Sequence, residues 1–148
     1  MAQRIRLDWP ERGTYILVLR LTRPSSMKVG SLGNTRFKTG YYTYVGSARK
    51  GMRSRLSRHL ARVKKKRWHV DWLTTSSDVV PVAVGTTEAV GLECEIAGLL
   101  SLRAQTRAKG FGCSDCDCES HLLYFSTARA LDLAHDELRK LGVSWSTP

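Results

Sequence analysis

Two short strings, Gly13-Thr14-Tyr15 and Tyr44-Val45-Gly46, each set a phenol close to a glycine, with 28 residues between the two tyrosines. The second string leads into a basic segment that holds Arg55, Leu56 and His59. A phenol can orient a water or take a proton from it, and an imidazole moves protons near neutral pH. A guanidinium fork matches the oxygens of a phosphate. These types in this order suit hydrolysis of a phosphodiester, a reaction governed by positioning and charge. Such chemistry also asks for a carboxylate to hold a hard cation and for a positive surface to hold a polyanion.

The positive surface is legible. The chain carries 24 Lys and Arg against 13 Asp and Glu, a net charge of +11. Ten of those cations fall between Arg49 and Arg67, a stretch with no acid. Arg49, Lys50, Arg53, Arg58, Arg62, Lys64, Lys65, Lys66 and Arg67 are therefore the candidate nucleic-acid contacts, with DNA or RNA as the partner. With 148 residues and 42% apolar content, the chain is expected to form a single domain over residues 1–148 with a real core. No run approaches the 18 or more apolar residues of a membrane span, and the first residues lack the apolar heart of a secretory signal. A cytoplasmic monomer with no membrane partner is the default expectation.

Positioning those side chains falls to elements that the pattern suggests. Residues 9–13 read as a lead-in turn, and Tyr15–Leu19, rich in β-formers, as a buried central strand. Residues 22–40, punctuated by Pro24, Gly30, Gly33 and Gly40, read as turns and a short hairpin. Tyr41–Val45 is the next strand, with Gly46-Ser47-Ala48 turning out of it. A helix over Met52–Val63 would bury Met52, Leu56, Leu60 and Val63, leaving His59 beside that stripe and Arg55 and Arg62 further round. A short helix is expected at Trp68–Leu73 and a strand at Val79–Val84, with Pro81 at a sheet edge or bulge. Thr86 or Thr87 would cap a helix over Glu88–Arg103. His121–Phe125 reads as the last strand and Ala128–Leu141 as a closing helix ended by Gly142. Strands interleaved with helices make an α/β or α+β sandwich.

The two strings, with Arg55-Leu56-Ser57-Arg58-His59 and Glu93-Cys94-Glu95-Ile96, resemble the GIY-YIG endonuclease superfamily. Gly40–Ala48, Trp68–Leu73 and the stretch from Gly110-Phe111-Gly112 to His121–Phe125 are similar to a branch of it of unknown function, sometimes fused to endonuclease III-type repair enzymes. The likeness spans roughly residues 13–126. It implies a small mixed or antiparallel sheet of three to four strands flanked by helices, with an extra hairpin after the first strand. It implies metal-dependent cleavage of DNA, as in repair or processing, with one Mg2+ or Mn2+. By position, Tyr15 and Tyr44 would line the site, Arg55 would hold the phosphate, His59 would assist proton transfer and Glu93 would bind the ion. Helical phase alone leaves Glu93 and Glu95 equivalent; the family spacing selects Glu93.

The chain departs from that pattern in its longer spacer, in Thr14 for the usual isoleucine, in a one-residue shift of Arg55, and in lacking the downstream asparagine. The last departure opens an alternative, a nucleic-acid-binding module with the same fold and no turnover. Each site residue also has a purely structural reading: tyrosines packing a sheet, a solvated arginine, a satisfied core histidine. His69, Asp115 and His121 are possible accessory groups near the cleft. Cys113, Cys116, Cys118 and His121 have the types of a zinc site, but four ligands from so short a stretch would be geometrically tight. They are read as reduced thiols, with Cys94 in the core and no disulfide.

Overall fold

The β-forming run from Tyr15 to Leu19 builds the middle of the molecule. The computed structural model describes residues 9–107 and 120–148. In chain order the elements are β1 (Gly13–Leu21), β2 (Ser25–Lys28), β3 (Asn34–Phe37), β4 (Gly40–Ala48), α1 (Met52–Leu60), α2 (His69–Thr74), β5 (Val79–Thr87), α3 (Glu93–Ser101), β6 (Thr106–Arg107), β7 (Leu122–Phe125), α4 (Ala128–Arg139) and β8 (Ser144–Ser146). Six strands form one sheet in the order β6-β7-β4-β1-β5-β8, and every pairing in it is antiparallel. β2 and β3 form a separate hairpin around a 3₁₀ turn. The fold is mixed α+β, and among the described residues no helix is long and apolar enough to cross a membrane.

Alternation along β1 sorts the core onto two faces, as the two-residue period of a strand requires. Tyr15, Leu17, Leu19 and Leu21 face α1, α2 and the hairpin, packing with Tyr42, Tyr44, Met52, Leu56, Val70 and Leu73. Ile16 and Val18 face α3 and α4, packing with Ile96, Leu100, Phe125, Leu131 and Leu138. The sheet is thus covered by helices on both sides.

Several expectations are corrected. The sheet has six strands rather than three to four, because β6 and β8 are too short, at two and three residues, to carry a periodic signal. Gly46-Ser47-Ala48 is strand, not turn: pairing with β1 runs unbroken to Gly13↔Ala48. α1 stops at Leu60, and Val63 is 94% exposed instead of buried. Thr86 and Thr87 belong to β5, and the helix after them starts at Glu93, five residues later than expected, leaving Ala89 exposed. The hairpin after the first strand and the closing helix before Gly142 are present.

Candidate functional site

The register of β1 against β4 sets Tyr15 opposite Gly46. A Cβ on Gly46 would stand 2.5 Å from Cζ of Tyr15 and 2.8 Å from its Cε2. The glycine therefore makes the space through which the phenol ring crosses the neighbouring strand. Beyond it, α1 presents His59, and the Tyr15 hydroxyl shares a 2.7 Å hydrogen bond with His59 Nε2. Tyr44 and Trp68 each meet the imidazole edge to face, at 6.0 and 5.3 Å between centroids. Neither Tyr15 nor His59 has any exposed surface, and Tyr44 is buried too. Burial first, then the charges of Lys64, Arg58 and Arg55, outweigh Asp71 and lower the His59 pKa to about 3, so the ring is neutral. Burial also raises the Tyr15 phenol well above its ordinary value, with Tyr44, Glu93 and Asp71 adding to the rise and Arg55 opposing it.

Arg55 sits half-buried one turn before His59. Its Nη1 donates to the Ser47 carbonyl at 2.5 Å, and its guanidinium lies 4.8 Å from the centroid of the Trp68 ring, a cation–π distance. Arg55, His59 and Trp68 line a cleft of about 560 Å³ together with Lys50, Arg58 and Arg67. Its lining also includes one carboxylate, Glu11, whose Oε1 accepts from Gly51 N and whose carbonyl accepts from Met52 N, fixing the start of α1. Gly51 is left-handed there (φ +67), which favours glycine.

The other half of the site comes from across the sheet. Thr14 donates from its hydroxyl to the Ala89 carbonyl and accepts from Leu92 N, and the Ser47 hydroxyl accepts from Gly91 N. These bonds hold residues 89–92 as a loop at the sheet end and begin α3 at Glu93. Ser47 thereby joins the two halves, its carbonyl on Arg55 and its hydroxyl on the loop. Glu93 is close enough for its charge to act on the Tyr15 phenol. Its Oε2 is buried and finds no hydrogen-bond partner among the described residues. An orphaned hard oxygen fits a divalent cation, although no cluster of three or more His, Cys, Asp or Glu occurs among the described residues. Tyr44, Arg55 and Glu93 all act on the Tyr15 phenol; Glu93, Tyr15 and Tyr44 do not line the cleft itself.

A family model described as domain of unknown function DUF123 matches residues 14–143. The chain belongs to the DUF123 family. No curated protein and no solved structure matches it.

The DUF123 domain divides its basic stripe into two groups. Arg49, Lys50, Arg53, Arg62, Lys65, Lys66 and Arg67 are exposed, although Arg62 donates to the Ser76 carbonyl. Arg58 and Lys64 have internal work. Arg58 donates to both carboxylate oxygens of Asp71, at 3.2 and 3.0 Å, and Lys64 donates to the carbonyls of Arg58 and His59 at the end of α1. Asp71 is the residue that sequence reasoning passed over. It is wholly buried, and its Oδ2 accepts from Arg67 N and Trp68 N at 2.8 and 2.9 Å. Burial would raise its pKa, but Arg58, those two amides and Lys64 prevail and lower it. A signal existed: Asp71 is the first acid after Glu11, and it follows closely on the ten cations.

Among the accessory candidates, His69 stands beside Gly30 at the hairpin, its pKa lowered by burial. His121 is buried, with Nε2 3.6 Å from Cys94 Sγ. Cys94 is half-buried and disulfide-bonded, not a reduced core thiol. Cys113, Asp115, Cys116 and Cys118 lie outside the described residues.

Proposed function

We propose that this domain is a metal-dependent endonuclease of the GIY-YIG type that hydrolyses DNA phosphodiesters. The observation that carries the reading is the Tyr15–His59 hydrogen bond of 2.7 Å, which ties a buried phenol to an imidazole that lines a cleft with Arg55, Lys50, Arg58 and Arg67. Arg55 binds the scissile phosphate and offsets the charge that grows on it. Glu93 is the residue to hold one Mg2+ or Mn2+; bound there, the ion supplies positive charge against the phosphoryl oxygens. The reading requires a water to reach the Tyr15 oxygen, which has no exposed surface here; that water would give its proton to the phenol as the phenol proton passes to His59 Nε2. The new P–O bond forms while the bond to the leaving oxygen breaks, and that oxygen takes a proton from solvent. A phosphate in the cleft would oppose the fields of Lys64, Arg58 and Arg55, which add to burial, the larger cause, in holding His59 neutral. Substrate binding thus makes the imidazole a better base.

A second reading, a nucleic-acid-binding module without turnover, draws on the burial of both tyrosines. Incubation with plasmid and branched DNA in Mg2+ or Mn2+ separates the two. The nuclease reading requires nicking that Arg55→Ala and Glu93→Ala each abolish. Salt-dependent binding with no cleavage in any metal favours the module.

A further inference from the structure

Asp71 is an anomaly of placement: a carboxylate with no exposed surface, set under the most basic stretch of the chain. Its two oxygens are used differently. Oδ2 is filled by Arg67 N, Trp68 N and one Arg58 nitrogen. Oδ1 takes the other Arg58 nitrogen, stands 3.6 Å from Lys64 Nζ, and faces His59 Nδ1 at 4.0 Å. That ring nitrogen is buried and has no hydrogen-bond partner among the described residues. The opposite nitrogen, Nε2, is the one bonded to the Tyr15 hydroxyl.

A neutral imidazole carries one proton, and the two choices are not equivalent here. With the proton on Nε2, the ring donates to Tyr15 and turns the Nδ1 lone pair toward a carboxylate. With the proton on Nδ1, the N–H dipole points at that carboxylate and Nε2 is left bare to accept from the Tyr15 hydroxyl. We propose that Asp71 is a positioning residue that fixes His59 as the Nδ1–H tautomer, so that the Tyr15 hydroxyl donates to His59 Nε2. The same carboxylate offsets the imidazolium that forms when the phenol proton is transferred. It also anchors the amides of Arg67 and Trp68, which seats the indole against the imidazole. The other groups facing the ring are Tyr15 and Tyr44 from the sheet, Arg55 and Arg58 from α1, and Lys64 from the segment that follows it. The three cations all resist protonation of the ring, so among the described residues Asp71 is the charge that favours it.

What the proton is used for rests on the nuclease reading; the tautomer does not. The test is long-range 1H–15N correlation on protein labelled in histidine, with the His59 signals assigned by their loss in His59→Gln. The wild type is expected to show Nδ1–H at neutral pH, and Asp71→Asn to convert at least half of the ring to Nε2–H. A wild-type spectrum with Nε2–H overturns the proposal even if Asp71→Asn fails to fold. A folded Asp71→Asn that keeps Nδ1–H overturns it too. In the plasmid assay, Asp71→Asn should lower kcat by about 100-fold with little change in KM and displace the acid limb of the pH profile. An unchanged kcat and profile in a cleaving preparation count against the proposal. A wild type that cleaves nothing sinks the nuclease reading, while the spectrum alone still decides the tautomer.

Discussion

Gly46→Ala is the sharpest probe of how the sheet positions the phenol. The added Cβ would lie 2.5 Å from Tyr15 Cζ, whereas carbon atoms pack at about 3.5–4.0 Å. The ring must therefore retreat by about 1 Å. It has no exposed surface and lies among Leu17, Tyr44, Ala48, Met52 and Leu56, so the retreat compresses a filled core. Overpacking of that kind costs about 1–3 kcal/mol. Drawing the hydroxyl away from His59 leaves a buried donor and acceptor apart, at about 1–3 kcal/mol more. Some relaxation is shared, so a total of about 3 kcal/mol is expected. With a urea m-value of about 2 kcal/mol/M, the unfolding midpoint falls by about 1.5 M at unchanged m. Tyr15→Leu removes the ring that the new methyl strikes, so a double-mutant cycle should recover at least ~1 kcal/mol of coupling. DNA affinity should hold while cleavage drops, because the cationic rim is untouched. A Gly46→Ala protein within about 0.5 kcal/mol of wild type, with no coupling to Tyr15, would refute the claim that this glycine places the phenol.

Other outcomes follow from the same geometry. Because the folded His59 pKa is about 3 and its ordinary value 6.5, the unfolded chain binds a proton that the folded one refuses between those values. Stability should fall as pH drops through that window, by up to about 1.4 kcal/mol per pH unit from this residue; a His59→Gln variant whose slope is unchanged contradicts the assignment. His135, lowered to about 4, adds to the wild-type slope with the same sign. Glu93→Gln should abolish Mn2+ binding measured by calorimetry while leaving the unfolding curve close to wild type; retained binding rules Glu93 out as the ligand. Replacing Lys65, Lys66 and Arg67 by Gln should reduce the slope of log affinity against log salt by about 0.9 for each phosphate no longer neutralised. An unaltered slope would take those three cations off the DNA path.

The central strand, the early hairpin and the closing helix were legible because local composition and tertiary role agree in them. Where they disagreed, the sequence misled. Gly46-Ser47-Ala48 has turn chemistry, yet the ring of Tyr15 requires a glycine in an extended strand at that position. Val63 has the phase of a helix face, but Lys64 folds back onto the carbonyls of Arg58 and His59 and ends α1 at Leu60. A lysine expected to meet phosphate is thus a helix cap. Residues 88–92 look helical until the Thr14 hydroxyl, distant in sequence, claims the Ala89 carbonyl and the Leu92 amide. Within the site, the residue types identified Tyr15, Arg55 and His59 as candidates. Asp71 escaped because its meaning depends on what it faces, and spacing along one chain does not reveal that.

One residue ties the arginine to the carboxylate. The Ser47 carbonyl holds Arg55 and its hydroxyl holds the loop that introduces Glu93. That strand end is also clasped by β1, through the pairings Thr14↔Ser47 and Gly13↔Ala48, so it stays in place whether or not the guanidinium keeps its hold on the carbonyl. A single serine on a fixed strand thus serves as the common post from which both the helix cation and the acidic turn are hung.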